Sequence, residues 1–257
     1  MSIHPTAVID DTARLGENVE VGPYSIIGPH VEIGARSVIG PHVVIKGPTR
    51  IGIENHIFQF ASIGEVPQDK KFHGESSTLE IGDRNHIREF VTINRGTEDG
   101  GGITKVGNDN WLMAYIHIAH DCIVGNNVIF SNAASLAGHV TVDDHAILGG
   151  FTLVHQFCHI GSHTFCGMGS AVSKDVPPYV IVNGNPAHPH GLNLEGLKRR
   201  GFSKESLKAL RDAYKLVYRQ GLTIEEALPK LETLTVSSQE VIPFVEFIKS
   251  STRGIIR

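Results

Sequence analysis

The chain has 257 residues, 40% of them hydrophobic, with 28 glycines and a formal net charge of −4. That length allows one large domain or two modest ones, no run approaches the ~18–20 apolar residues of a membrane span, and the acidic balance points away from nucleic acid. MSIHPTAVIDD at the N-terminus lacks the basic and apolar regions of a signal peptide, and Cys122, Cys158 and Cys166 form no CxxC pair, so a soluble cytoplasmic protein without structural zinc is expected.

From the first residues the chain repeats in sixes. Every sixth residue from Ile3 to Ile63 is aliphatic, and Gly follows directly at 16, 22, 28, 34, 40, 52 and 64. The register resumes at Ile81, Ile87 and Ile93, then shifts by one residue and runs from Val106 through Ile118, Leu136 and Val154 to Val172. A helical period of 3.6 cannot hold such a pattern, and a β-sandwich would space its strands less regularly. Six residues make a short strand and a tight turn; three such units close a triangular coil whose aliphatic residues point inward. Coils stack at about 4.8 Å and stabilise one another through backbone hydrogen bonds. The predicted fold is mainly β, a parallel β-helix of hexapeptide repeats over residues 1–187. Spacing alone does not specify the hand of its winding.

Two polar stretches break the register, 65–79 (EVPQDKKFHGESSTL) and 95–104 (RGTEDGGGIT). Both read as loops ejected from the prism, where binding residues concentrate. After DVPPYVIVNGNPA (175–187) the hexads stop, and residues 188–257 are expected to form a helical domain capping the prism. Ser203 and Thr223 stand at N-cap positions, with Glu226 completing a capping box. Within 198–219, eight Lys and Arg face only Glu205 and Asp212. That pattern fits a solvated helix face or a docking surface for an acidic partner or phosphate.

Residues 18 apart should lie one coil above another, so Ile118, Leu136 and Val154 form a column. His117, His120, His139 and His155 then belong to one side of three successive coils, with Asp121, Asn132 and Gln156 nearby. A neutral imidazole is a general base near neutral pH, and a carboxylate can orient it. No Ser or Cys stands beside a matching base, so a covalent acyl-enzyme is not required. Stacked imidazoles could also hold a metal, as in a β-helical metal hydratase, or simply decorate the surface of a chain with 15 histidines.

HIAHDCIVG (117–125), NAASLAGHV (132–140) and LVHQF (153–157) resemble the UDP-N-acetylglucosamine 3-O-acyltransferase family. So do ASIGEVPQDKKFHGE (61–75), DVPPYV (175–180), NLEGLKRRGFS (193–203) and STRGIIR (251–257). The likeness spans the whole chain and implies left-handed winding, a homotrimer with sites between subunits, and no cofactor or metal. It implies transfer of an (R)-3-hydroxyacyl chain from acyl carrier protein to the sugar 3-hydroxyl, the first step of lipid A biosynthesis. His120 would be the general base, Asp121 its orienting carboxylate and the Gly138 N–H the oxyanion donor. His117, His139, His155 and Gln156 would line the sugar and phosphate site, with Gln68, Asp69 and Lys71 contributed by the first loop. Asn193, Glu195 and Arg199 would contact the nucleotide from a neighbouring subunit, and the basic 198–219 face would dock the carrier protein.

Two residues depart from some members of the family. Met168 replaces Gly and should shorten the preferred acyl chain, unless it only fills core space. Asn94 replaces His. The sister N-acyltransferase normally carries an additional N-terminal domain for which hexads beginning at Ile3 leave no room, and an acetyl-CoA-dependent sugar acetyltransferase would lack the GLKRRGF-type cap.

Overall fold

The computed structural model describes residues 2–257. Short strands, mostly of two residues, recur along the chain from Ser2–Ile3 to Ala171–Val172. Every register aliphatic identified from the sequence lies in one of them. Each strand pairs in parallel with the third strand along, so three flat faces run the length of a left-handed β-helix. The first face begins with Ser2–Ile3, the second with Val8–Ile9 and the third with Arg14–Leu15. Ile118, Leu136 and Val154 are stacked partners on the second face.

Inward-pointing aliphatics build the core. From Val21 to Val172 the register residues are at most 3% exposed, each burial contributing about 1.5–3 kcal/mol. Ile3, with no coil beneath it, is 42% exposed. Between the first and third faces a buried ladder of Asn55, Asn85 and Asn110 satisfies successive backbone groups, Asn55 Oδ1 accepting from Asn85 N at 2.9 Å and Asn85 Oδ1 from Asn110 N at 2.9 Å.

The corners explain the rest of the repeat. Two residues after most core positions the backbone N–H has no acceptor in the coil ladder, Arg95, which donates to Glu65 O, being a departure. Proline, which has no N–H to lose, therefore fits there at positions 5, 23, 29 and 41. One residue further the chain turns through the left-handed region, with φ near +60° at Tyr24, Phe60, Asp121 and His139 among others. Aromatic and polar side chains at these points stand outward in rows along the corners. In one such row Tyr24, His42, Phe60, Phe90 and Tyr115 stack at ring separations of 4.8–5.3 Å.

Both expected loops leave the corner between the second and third faces, with tighter limits than the sequence suggested. The strand ladder still holds Glu65 and resumes at Thr78, and the second loop spans 95–102 before Ile103 re-enters the sheet. The expectation of helix directly after residue 187 is corrected. Val180–Asn183 continues the first face beside Phe165–Cys166, and His188–Leu192 adds an antiparallel strand. Pro177 and Pro178 fall before that strand and cost it no ladder bond, so they do not end the sheet.

Helices α1 (Leu194–Arg199), α2 (Lys204–Tyr218), α3 (Ile224–Thr235) and α4 (Ile242–Ser250) follow. Ser203 caps α2, and Thr223 with Glu226 forms the capping box of α3. The C-terminal segment returns to the prism, where Ser251 Oγ donates to Asp175 at 2.7 Å and Ile255 and Ile256 are buried. Among the described residues no helix is long and apolar enough to cross a membrane.

Candidate active site

The hexad rule places His120 two residues past Ile118, at a corner position with a free N–H, and Asp121 at the left-handed position that follows (φ 60°). Asp tolerates that conformation better than most residues. Its carboxylate is fully buried beneath the loop that follows Asn94, while the His120 ring stays 14% exposed. His120 Nδ1 lies 2.7 Å from Asp121 Oδ2. An ionised carboxylate only accepts, so Nδ1 carries the proton and Nε2 presents a lone pair outward.

Asp121 is held from three directions. Thr97 N and Thr97 Oγ1 each donate to it at 2.7 Å, and its own N–H donates to Thr104 Oγ1 at 2.8 Å. Neither threonine is among the residues singled out from the sequence, although both lie in the flagged loop. Their signal is arithmetic: this loop lengthens its coil to 25 residues (Thr92 stacks under His117), so position 96, the loop's root, falls below Asp121.

One coil above His120 is Gly138. A methyl group there would sit 2.6 Å from His120 Cε1 and 2.8 Å from Nε2, so only glycine lets the imidazole edge approach. The Gly138 N–H has no acceptor among the described residues. A proton acceptor and an unengaged N–H donor thus sit at adjoining corner positions of neighbouring coils.

His139 stands edge-on to His120, ring centroids 5.1 Å apart, and stacks on Phe157. Burial pulls its pKa below the ordinary imidazole range, with the Asp121 charge opposing that shift and His120 adding to it; Asp69 and Asp99 from the two loops also favour its charged form. His117 hydrogen-bonds Thr92 Oγ1 at 2.7 Å, and burial, then His120, lowers its pKa too. His155 and Gln156 are exposed one coil further on, with His155 Nδ1 3.5 Å from Arg253. Gln68 and Lys71 are exposed on the first loop, and Asp69 Oδ1 accepts the Lys71 N–H at 3.0 Å. Asn94 is buried and donates to the Glu65 and Val66 carbonyls, tying down the root of that loop.

Asn193, Glu195 and Arg199 do not join this group within one chain. Asn193 caps α1 through Gly196 N and donates to His163 O, at the corner between the third and first faces. Glu195 pairs with Lys198 at 2.6 Å. Met168 lies at the corner between the first and second faces and is 77% exposed, so it does not fill the core. It precedes the strand three coils beyond that of His117, about 14 Å along the axis at ~4.8 Å per coil.

The three cysteines are free and buried. Burial pushes the Cys122 and Cys166 thiols up to about 12 and Cys158 to about 11, which leaves them protonated and unsuited to carry an acyl group. Among the described residues one group, His120, Asp121 and His139, brings three potential metal donors within 4.8 Å of one another. Hydrogen bonds from Thr97 and His120 already occupy three of the roughly four acceptor sites of the Asp121 carboxylate.

The family model described as UDP-N-acetylglucosamine O-acyltransferase, domain 2, matches residues 175–256, and the bacterial transferase hexapeptide model matches 12–47 and 103–134. The acyl-[acyl-carrier-protein]–UDP-N-acetylglucosamine O-acyltransferase of Thiobacillus denitrificans is 58% identical over 256 residues, covering 100% of this chain and 99% of that protein. The enzyme of the same name from Stutzerimonas stutzeri is also 58% identical, with 99% of both chains covered. Among solved structures, the UDP-N-acetylglucosamine O-acyltransferase of Moraxella catarrhalis superposes with a TM-score of 0.98 at 48% identity over the full length of both chains.

Proposed function

The chain belongs to the UDP-N-acetylglucosamine O-acyltransferase family and is an acyltransferase, and from that premise we propose that it moves an (R)-3-hydroxyacyl chain from acyl carrier protein to the 3-hydroxyl of UDP-N-acetylglucosamine, the entry step of lipid A synthesis. The observation that carries the mechanism is the His120–Asp121 pair set against Gly138, whose N–H is unengaged. His120 Nε2 takes the proton of the sugar hydroxyl as that oxygen bonds to the thioester carbon. The Gly138 N–H donates to the oxyanion of the tetrahedral intermediate. Collapse breaks the carbon–sulfur bond, and the imidazolium returns its proton to the departing thiolate. Asp121 keeps the imidazole in the required tautomer and offsets its transient charge. No protein thiol enters the path.

The sugar and phosphates would lie along His117, His139, His155 and Gln156 beneath Gln68, Asp69 and Lys71. Asn193, Glu195 and Arg199 would arrive from a neighbouring copy in a homotrimer. Supporting that assembly, the second face and its corner carry exposed Val8, Ile26, Leu153 and Phe151, an apolar surface that suits burial between copies. Lys204, Lys208, Arg211, Lys215 and Arg219 are exposed along α2 and its end, a cationic surface matched to an acidic carrier protein. Met168 would stop the acyl groove and favour a shorter chain. Free thiols fit a cytoplasmic location.

The test is acyl transfer by His120→Ala, with hydroxyacyl carrier protein and UDP-N-acetylglucosamine, with and without chelator. General-base loss should lower kcat by about 10²–10⁴-fold, and chelator should leave the wild type unchanged. Wild-type activity in the variant would remove His120 from the mechanism. Inactivation by chelator would favour a metal held by the His120, Asp121 and His139 group.

A further inference from the structure

Asp121 does not hold His120 alone. Its carboxylate is buried against the loop 95–102, which the chain ejects one coil below and folds back over the corner. Gly100 N donates to Thr97 Oγ1 at 3.3 Å, so the hydroxyl's single proton is directed onward to Asp121 Oδ2 at 2.7 Å. That same oxygen receives His120 Nδ1. Thr97 N, in turn, donates to Oδ1. A side chain at Gly100 would overlap the Asp121 carboxylate, so the loop is seated against it without a gap.

We propose that Thr97 is a positioning residue of acyl transfer: its hydroxyl shares Asp121 Oδ2 with His120, fixing the carboxylate's orientation and limiting how strongly it stabilises the imidazolium. The proposal rests on His120 being the base. A hydroxyl donating to a carboxylate disperses its charge and competes with a second donor on the same oxygen. Removing the hydroxyl makes Asp121 a stronger acceptor for His120 and tightens its hold on the protonated ring. The other charged or titratable groups around the pair are His117 and His139 on the neighbouring coils, with Asp69 and Asp99 facing His139 from the two loops. None of them contacts the Thr97 hydroxyl by hydrogen bond.

Thr97→Val keeps the shape and the backbone donor but deletes the hydroxyl, and Thr97→Ser restores it. For Thr97→Val, kcat should fall about 10- to 100-fold, because the carboxylate loses the hydrogen bond that fixes its orientation and with it the aim of His120, a loss outweighing the stronger hold on the imidazolium. KM for both substrates should hold, and the acidic limb of the kcat/KM–pH profile should move to higher pH, because the base must be neutral to act. Thr97→Ser should return both kcat and the limb toward wild type. Wild-type kcat and limb in Thr97→Val overturn the proposal, as does a Ser variant as impaired as Val. A rise in KM at constant kcat also overturns it and makes Thr97 a substrate contact. Melting curves accompany each variant. If Val unfolds the chain, Thr97→Ala decides: wild-type kcat and limb there refute the clamp, and reduced kcat with a moved limb supports it. His120→Ala runs in parallel. Its full activity would sink the base assignment itself, whereas an inactive His120→Ala beside unaffected Thr97 variants would sink only the role of Thr97.

Discussion

Gly138 contributes to the site by lacking a side chain. Its bare Cα admits the edge of His120, and its N–H is free because the coil geometry gives most corner N–H groups no backbone acceptor, while side chains such as Asp83, Asn108, Asn126 and Asp144 engage some of the others. Four prolines at that hexad position announce the same fact in the sequence. What no local pattern announces is which of the many free corner donors faces a base. Met168 poses the converse case, a large side chain placed where a Gly would leave room. Since it is exposed and not part of the core, Met168→Gly should leave the melting temperature nearly unchanged. It should also shift the kcat/KM ratio of longer to shorter hydroxyacyl donors upward by about 10-fold or more, as removing a steric stop in an apolar groove does. A graded series of hydroxyacyl carrier proteins reads this directly, and an unaltered ratio would mean that Met168 does not bound the groove.

At the scale of elements, the junction between prism and helices turns on His163. Its ring stacks between His145 and Tyr179 and meets Phe202 edge-on, while its Nδ1 is buried without a partner. Burial, with smaller contributions from His145 and Arg200, depresses its pKa from 6.5 to about 4. The folded state therefore binds this proton less readily than the unfolded chain, so stability rises with pH across that window. The stability is fully present above about 6.5 and is lost as pH falls toward about 4. His163→Phe should flatten this part of the pH–Tm curve, with the largest gain over wild type near the acidic end. Phe already occupies the equivalent left-handed corner position at residues 60, 90 and 151, so the ring fits the backbone. Thermal melts between pH 4 and pH 8 check the point, and parallel curves for the two proteins would refute it. Here the sequence was only partly informative. The caps at Ser203 and Thr223 were visible as local motifs, but the strand His188–Leu192 was not, because its partner is the edge that Val180–Asn183 exposes only after it has joined the first face.

At the scale of the molecule, one chain holds the His120–Asp121 pair and Gly138, the proposed base and oxyanion donor, at one corner and the Asn193–Arg199 segment at another. Assembly about the apolar second face would complete a site from both. Leu153 stands on that face, 56% exposed, directly above Ser135 and His117 in the strand stack. Leu153→Glu would bury an unpaired charge in that interface, a cost of several kcal/mol. We expect sedimentation to show three-chain particles for the wild type and single chains for the variant. Acyl transfer should be lost while the far-ultraviolet β signal is kept. A variant that stays trimeric would move the interface elsewhere.

The sequence by itself determined the β-helix, its core residues and the gathering of four histidines on one side of three coils, because a strict period of six converts distance along the chain into position in space. Once Ile118, Leu136 and Val154 are known to stack, the neighbourhood of His120 follows by counting. Only the tertiary structure decided what the interruptions do. The loop 95–102 obeys no period, and whether it hangs in solvent or folds back depends on a buried carboxylate that needs donors and on a glycine small enough to let Thr97 supply them. The pair foreseen as His120 and Asp121 is therefore a triad of contacts, His120, Asp121 and Thr97, whose third member was hidden until the chain had closed on itself.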